Sequence, residues 1–185
     1  MNYKTIFTAL GLISAAMGCS AIQAQEQEPV QASIRTYFSP NGGAQEAIVK
    51  ELAQAKKSVR MQAYLLNNPH ITDALVQAKN RGVDVKVIVD KKVETSKKDH
   101  AGILARGGIP VKVDDQHPSA HNKTIVIDGK TTIAGSYNFV DKAENRNAEN
   151  LLIIDSPEIA RRYTEDWEKH NAHARELQPR RSETI

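Results

Sequence analysis

Cysteine is nearly absent, occurring once, at Cys19, and aromatic residues make up 5% of the 185-residue chain. With no second thiol, no disulfide forms within the chain, so stability must come from a packed core, for which this length suffices in one domain. There is no Cys/His cluster with zinc-finger spacing, no glycine-rich nucleotide loop, and no carboxylate cluster of the kind that holds paired Mg²⁺ ions. Gly42-Gly43 is a turn signal and not a phosphate cradle. Charge of one sign is also lacking. The formal net charge of +3 permits a nucleic-acid partner but is far short of what proteins that bind phosphate over a whole face carry.

Only one stretch is apolar enough to suggest a membrane. Ile6 to about Met17 follows Lys4 and precedes small residues from Gly18 to Ala21. It is shorter than the roughly 20 apolar residues that span a bilayer. The order charged, apolar, small is that of a bacterial export signal, so residues 1–24 are expected to be a leader and residues 25–32 a polar linker. Two processing routes fit. Ala24 before Gln25-Glu26 resembles a signal-peptidase end point, whereas Gly18-Cys19-Ser20 partly resembles a lipoprotein site, with Ala16 where leucine is usual. A periplasmic or secreted location follows from either, with a lipid anchor at Cys19 in the second.

Residues 33–175 alternate strand-like and helix-like patterns. Ser33–Phe38, Val59–Leu65, Asp84–Val89 and Ile109–Val113 read as strands. Between them, Ile48, Leu52 and Ala55 share one helical face, and Thr72 is placed to cap a second helix that ends at Gly82. The continuous apolar runs Thr124–Ile127 and Leu151–Ile154 suit central strands covered on both faces. Asp128-Gly129 is a hairpin signal with Thr131–Ala134 as the returning strand, and Ser156-Pro157 is a helix start. Ile159, Tyr163 and Trp167 then repeat at helical spacing as core positions, and residues 176–185 look like a solvated tail. The expected fold class is α/β, a mixed, largely parallel central sheet flanked by helices on both faces.

The chemistry concentrates between His121 and Asn150. His121 and Lys123 lie two apart, so in an extended segment both face one pocket. Ser136 and Asn138, again two apart, can approach it from the next strand edge. An ammonium, a hydroxyl and a carboxamide around an imidazole suit a phosphodiester, with Lys123 neutralising charge and Ser136 and Asn138 donating to non-bridging oxygens. Glu149 stands directly before an apolar strand, where a carboxylate needs a partner such as an imidazole. Taken singly, Asp128 is an ordinary turn acid. His70, His100, His117, His170 and His173 are ordinary surface or hydrogen-bonded histidines.

Taken together, the string His121-x-Lys123-x4-Asp128, Gly135-Ser136-x-Asn138 and Glu149 resembles the phospholipase D superfamily, and within it the small single-motif bacterial periplasmic endonucleases. The resemblance covers Ser33 to about His170. It implies a phospholipase D-like fold, with His121, Lys123, Asp128 and Glu149 as the catalytic set and Lys123, Ser136 and Asn138 around the phosphate. It also implies two-step covalent catalysis without a metal or other cofactor. One histidine attacks phosphorus, a second protonates the leaving oxygen and then activates water, and Glu149 orients His121. Because none of the other five histidines has lysine two residues on, the second histidine must come from a second chain, so a homodimer with a composite site is expected. The expected substrate is DNA, and RNA as a further one, cut with low sequence specificity since no base-reading element is visible. Lys91, Lys92, Lys97 and Lys98 are candidates to track the backbone or simply a solvated loop. A lipid phosphodiesterase and a non-catalytic DNA-binding protein are the alternatives.

Overall fold

The computed structural model describes residues 28–178 except Lys97. The leader, Cys19 and the first three residues of the polar linker therefore lie outside the described residues, as does the tail from 179 onward. Among the described residues no helix is long and apolar enough to cross a membrane.

The chain runs β1 (Ser33–Ser39), α1 (Ala44–Gln54), β2 (Ser58–Ala63), α2 (Pro69–Asn80), β3 (Asp84–Asp90), a 3₁₀ turn (Lys91–Glu94), α3 (Ala101–Arg106), β4 (Val111–Asp114), β5 (Lys123–Ile127), β6 (Thr131–Gly135), α4 (Asp141–Asn145), β7 (Glu149–Asp155), α5 (Pro157–His173) and β8 (Arg175–Glu176). All strands join one eight-stranded sheet in the order β1-β7-β6-β5-β2-β3-β4-β8.

The sheet is mixed, as expected, but it is mostly antiparallel and not largely parallel. Only β2-β3 and β3-β4 pair in parallel; the other five pairings are antiparallel. The neighbouring parallel strands β2, β3 and β4 are joined by the helical crossovers that parallel pairing needs. From β5 to β7 each strand lies antiparallel beside its predecessor, α5 then carries the chain across the sheet to β8 at the far edge, and β1 adds to the outer edge of β7.

Alternation along the strands divides the core between the two faces. Val85, Val87 and Val89 face α1 and α2, where they join Ile48, Leu52, Leu75, Ile125, Ile133 and Ile153. Ile88 faces the other way and packs with Trp167 of α5 and Ala174. The Trp167 indole also donates to the Met61 carbonyl at 3.0 Å, which pins α5 across the sheet. Of the residues expected on the inner face of α5, Trp167 is buried while Ile159 and Tyr163 are only partly so.

The cap of α2 differs from expectation. Asn68, wholly buried, accepts from Ile71 N at 3.1 Å, and Pro69 opens the helix. Thr72 already lies inside the first turn and returns its hydroxyl to Asn68 O at 2.8 Å. At the other end of the chain, Glu176, expected to open a solvated tail, pairs with Lys112 as the last residue of β8.

Candidate active site

Strand β5 begins at Lys123, opposite Ala63 of β2, and Tyr64 N donates to Asn122 O at 2.9 Å, so the ladder runs on past the strand's end. His121 therefore projects from a backbone that is held on one side. Its ring is exposed and lies 4.3 Å from that of Tyr64, centroid to centroid. Lys123 is buried. Its ammonium donates to His121 O at 2.7 Å and to His121 Nδ1 at 3.1 Å, and sits 4.9 Å from the centroid of the Tyr64 ring. Burial lowers the Lys123 pKa from its ordinary value, and the charge of Glu149 opposes that shift. That attraction links the β5 end of the site to β7.

Strands β6 and β7 bring up the other half. Gly135 has φ +149°, and a Cβ there would stand 2.3 Å from Asn150 O, so only glycine permits this approach. The next two residues use it: Ser136 N and Tyr137 N both donate to Asn150 O, at 3.1 and 3.3 Å. The Ser136 hydroxyl donates to Glu149 Oε2 at 2.6 Å and accepts from Asn150 N at 3.1 Å. Asn147 Nδ2 donates to Glu149 Oε1 at 2.9 Å. Tyr137 is buried and donates to Glu144 at 3.2 Å, while Glu144 also accepts from the Gly43 and Gln45 amides at the start of α1. This network ties the segment after β6 to the body of the domain.

The arrangement differs from the sequence expectation in three ways. Glu149 does not hydrogen-bond His121; its two oxygens are taken by Ser136 and Asn147. Ser136 spends its single proton on Glu149, so in this state it orients the carboxylate and does not donate to a phosphate. Asp128, expected in the catalytic set, belongs to the opposite end of β5. There its Oδ1 accepts from Lys57 N at 2.7 Å and Ser58 N at 2.9 Å, and its Oδ2 from Lys56 N at 2.9 Å. Asp128 and Gly129 both have positive φ, 55° and 64°, as a type I′ turn requires. Asp128 shapes the hairpin that carries His121 and Lys123, and its contacts are structural.

Asn138 is half-buried, with its Oδ1 buried and unpartnered among the described residues. Rotating the carboxamide by half a turn puts Nδ2 in that place, which would supply a spare donor. Residues with no assigned role in the sequence also enter the site: Tyr64 against His121, and Asn147 and Asn150 around Glu149 and Ser136. Asn147 and Asn150 adjoin the motif, but Tyr64 is brought in only by the β2–β5 pairing. The lysines from 91 to 98 separate. Lys92 bonds the Tyr64 hydroxyl beside His121, Lys91 bonds His117 O, and Lys98 lines a cavity by α3, with Lys97 outside the described residues.

A family model described as "Cardiolipin synthase, PLD-like domain" matches residues 48–171, which include the whole string from His121 to Glu149. The chain belongs to the phospholipase D superfamily. It is 38% identical over 140 residues to a phospholipase D of Rickettsia felis, covering 76% of this chain and 70% of that protein. It is 30% identical to the mitochondrial cardiolipin hydrolase of Xenopus tropicalis, over 64% of this chain and 56% of that one. Among solved structures, Nuc from Salmonella typhimurium, a phospholipase D family member, superposes with a TM-score of 0.77 at 35% identity, covering 80% of this chain and 99% of Nuc. NucT from Helicobacter pylori shares the fold, with a TM-score of 0.73 at 19% identity, covering 80% of this chain and 100% of NucT. The protein is accordingly a phosphodiesterase of the phospholipase D family.

Proposed function

We propose that the protein is an exported endonuclease of low sequence specificity, acting on DNA and also on RNA as a homodimer, without a metal in the chemical step. The observation that carries this reading is that each chain supplies one His121–Lys123 pair at an exposed strand end. In the reaction, Nε2 of His121 in one copy attacks phosphorus and forms a P–N bond. The bond to the leaving oxygen breaks, and the partner's His121 gives that oxygen a proton. The partner's His121 then takes a proton from water, whose oxygen attacks phosphorus as the P–N bond breaks. Lys123 and Asn138 hold the non-bridging oxygens, and Ser136 and Asn147 hold Glu149 in place.

A nucleic-acid substrate is supported by the correspondence with Nuc over nearly its whole length. It is also supported by Lys92 and the Tyr64 ring beside His121, a cation and an aromatic face that suit a phosphate backbone with flanking bases. The second reading, a lipid phosphodiesterase, is favoured by the names of the Rickettsia relatives and by Phe38. Phe38 is 62% exposed, and its backbone stands opposite Asn150 in the β1–β7 register at the site's edge. The two separate on substrate. Supercoiled plasmid and phosphatidylcholine vesicles are given in parallel to the wild type and to His121→Ala. The endonuclease reading expects plasmid cleavage that His121→Ala abolishes, with negligible choline release. Choline release without plasmid cleavage supports the lipid reading instead.

A further inference from the structure

Away from the His121 site, four side chains converge that the sequence gives no reason to connect. Asp114 ends β4 and is wholly buried, and His117 follows in the β4–β5 connection. His170 and His173 lie one turn apart at the end of α5. Asp114 Oδ2 is 2.6 Å from His170 Nδ1 and 3.3 Å from His173 Nε2, and His117 Nδ1 is 3.0 Å from both carboxylate oxygens. The imidazole centroids are 5.0 to 5.3 Å apart, and one ligand atom from each residue falls within 4.8 Å of all the others. Four atoms bound tetrahedrally at about 2.0–2.1 Å stand roughly 3.3 Å from one another, so little movement separates this cluster from a coordination shell.

We propose that Asp114, His117, His170 and His173 bind one divalent transition-metal ion, with Zn²⁺ the ion that the donor set fits best. Three imidazole nitrogens and one carboxylate oxygen are borderline ligands that suit zinc, and four protein ligands make a closed, structural site. The surroundings are those of a metal-binding histidine. The second ring nitrogen of His170, Nε2, faces Asp166 Oδ2 at 3.7 Å, ion-pair range but beyond a hydrogen bond, on the side where a carboxylate orients such ligands.

The ion would join the end of α5 to the segment leading into His121. That segment is otherwise held by Lys91 Nζ on His117 O at 3.1 Å and by Ala120 N on Asp90 Oδ2 at 2.7 Å. A second connection runs through side chains. Gln62 Nε2 is 3.5 Å from Asp166 Oδ2, and Gln62 Oε1 accepts from Asn122, which stands between His121 and Lys123. The metal would therefore position the backbone of the catalytic strand end without touching the substrate.

The test is zinc binding by the full chain, purified without a histidine tag, stripped with EDTA, dialysed and titrated with Zn²⁺ by calorimetry. Melting curves are recorded with and without the ion. One zinc per chain is expected, with a rise in Tm. His117→Ala and His173→Ala are expected to weaken binding by more than about 100-fold, beyond the effect of losing an outer-shell partner, and to lose the Tm rise. His100→Ala and His121→Ala keep both. His117 is 44% exposed at its side chain, so His117→Ala retains the fold and decides the matter even where another variant melts early. No uptake by the wild type, or unchanged uptake by His117→Ala, overturns the proposal and leaves a hydrogen-bonded cluster only. Neither result depends on what the His121 site hydrolyses.

Discussion

Lys123 Nζ lies 3.1 Å from Nδ1 of His121 and 2.7 Å from the same residue's carbonyl oxygen. An ammonium has only donors, so in this contact Nδ1 must accept, and a neutral ring then carries its proton on Nε2. That tautomer has no free lone pair on Nε2 and cannot attack with it. Attack needs the proton on Nδ1 and an acceptor for it, which Glu149 can supply if it releases Ser136 or Asn147. Glu149→Gln, which keeps the shape and removes the charge, should lower kcat by about 10²–10⁴-fold, the range of acid–base contributions. Its Tm should stay close to that of the wild type. Steady-state kinetics beside a melting curve checks both.

Burial of Lys123 gives a pH dependence with opposite signs in two measurements. Its pKa is lowered in the folded protein, so between that value and the ordinary 10.5 the unfolded chain binds more protons. Stability should therefore rise with pH through this window. Binding of inorganic phosphate at the site should fall over the same window as the ammonium is lost. Lys123→Met should remove both trends, as read by urea unfolding and phosphate titration from pH 8 to 10.5.

Asp128 should matter to stability and not to chemistry. Burial raises its pKa, but hydrogen bonds from Ser58 N, Lys57 N and Lys56 N more than offset this, and the folded value lies below 3.8. The stabilisation is thus present above pH 3.8 and lost as pH falls through the folded pKa. Asp128→Asn tolerates the positive φ but turns an NH₂ toward a backbone N–H. It should cost about 1–3 kcal/mol at neutral pH, while folded protein keeps wild-type kcat. Urea unfolding at pH 7 and at acid pH, with activity assayed well below Tm, checks this.

Metal removal should act on the fold and not on the reaction. In a His173→Ala background, where the proposed zinc site is already lost, EDTA should leave the initial rate of diester cleavage at low temperature unchanged. A rate that falls on adding EDTA to this variant would place a metal in the chemical step.

Much of the site was legible in the sequence because its residues lie close together in the chain. His121 and Lys123 share one strand end, and Ser136 and Glu149 meet through adjacent strands. The roles of Ser136 and Glu149 were less legible, since which acceptor takes a hydroxyl proton depends on contacts of a few tenths of an ångström. Asp128 reads as a turn acid in the sequence, but its three amide partners lie some 70 residues earlier and only the fold brings them to it. Strand direction was misread for a related reason. Apolar runs such as Leu151–Ile154 report burial on both faces, and an antiparallel strand in mid-sheet is covered just as a parallel one is. Tyr64 and the histidines around Asp114 carried no signal at all, because only the β2–β5 pairing and the packing of α5 bring them into place.

Subunit mixing is the most direct test that one chain supplies half of a phosphodiesterase site. Wild type is equilibrated with a tenfold excess of His121→Ala, heterodimer formation is verified by native mass spectrometry, and diester cleavage is measured. If two copies of His121 make each site, activity per wild-type chain should fall to about a tenth, because only homodimers of wild type are active. Activity that is unchanged while heterodimers form, or that persists in a protein shown to be monomeric, would contradict the account.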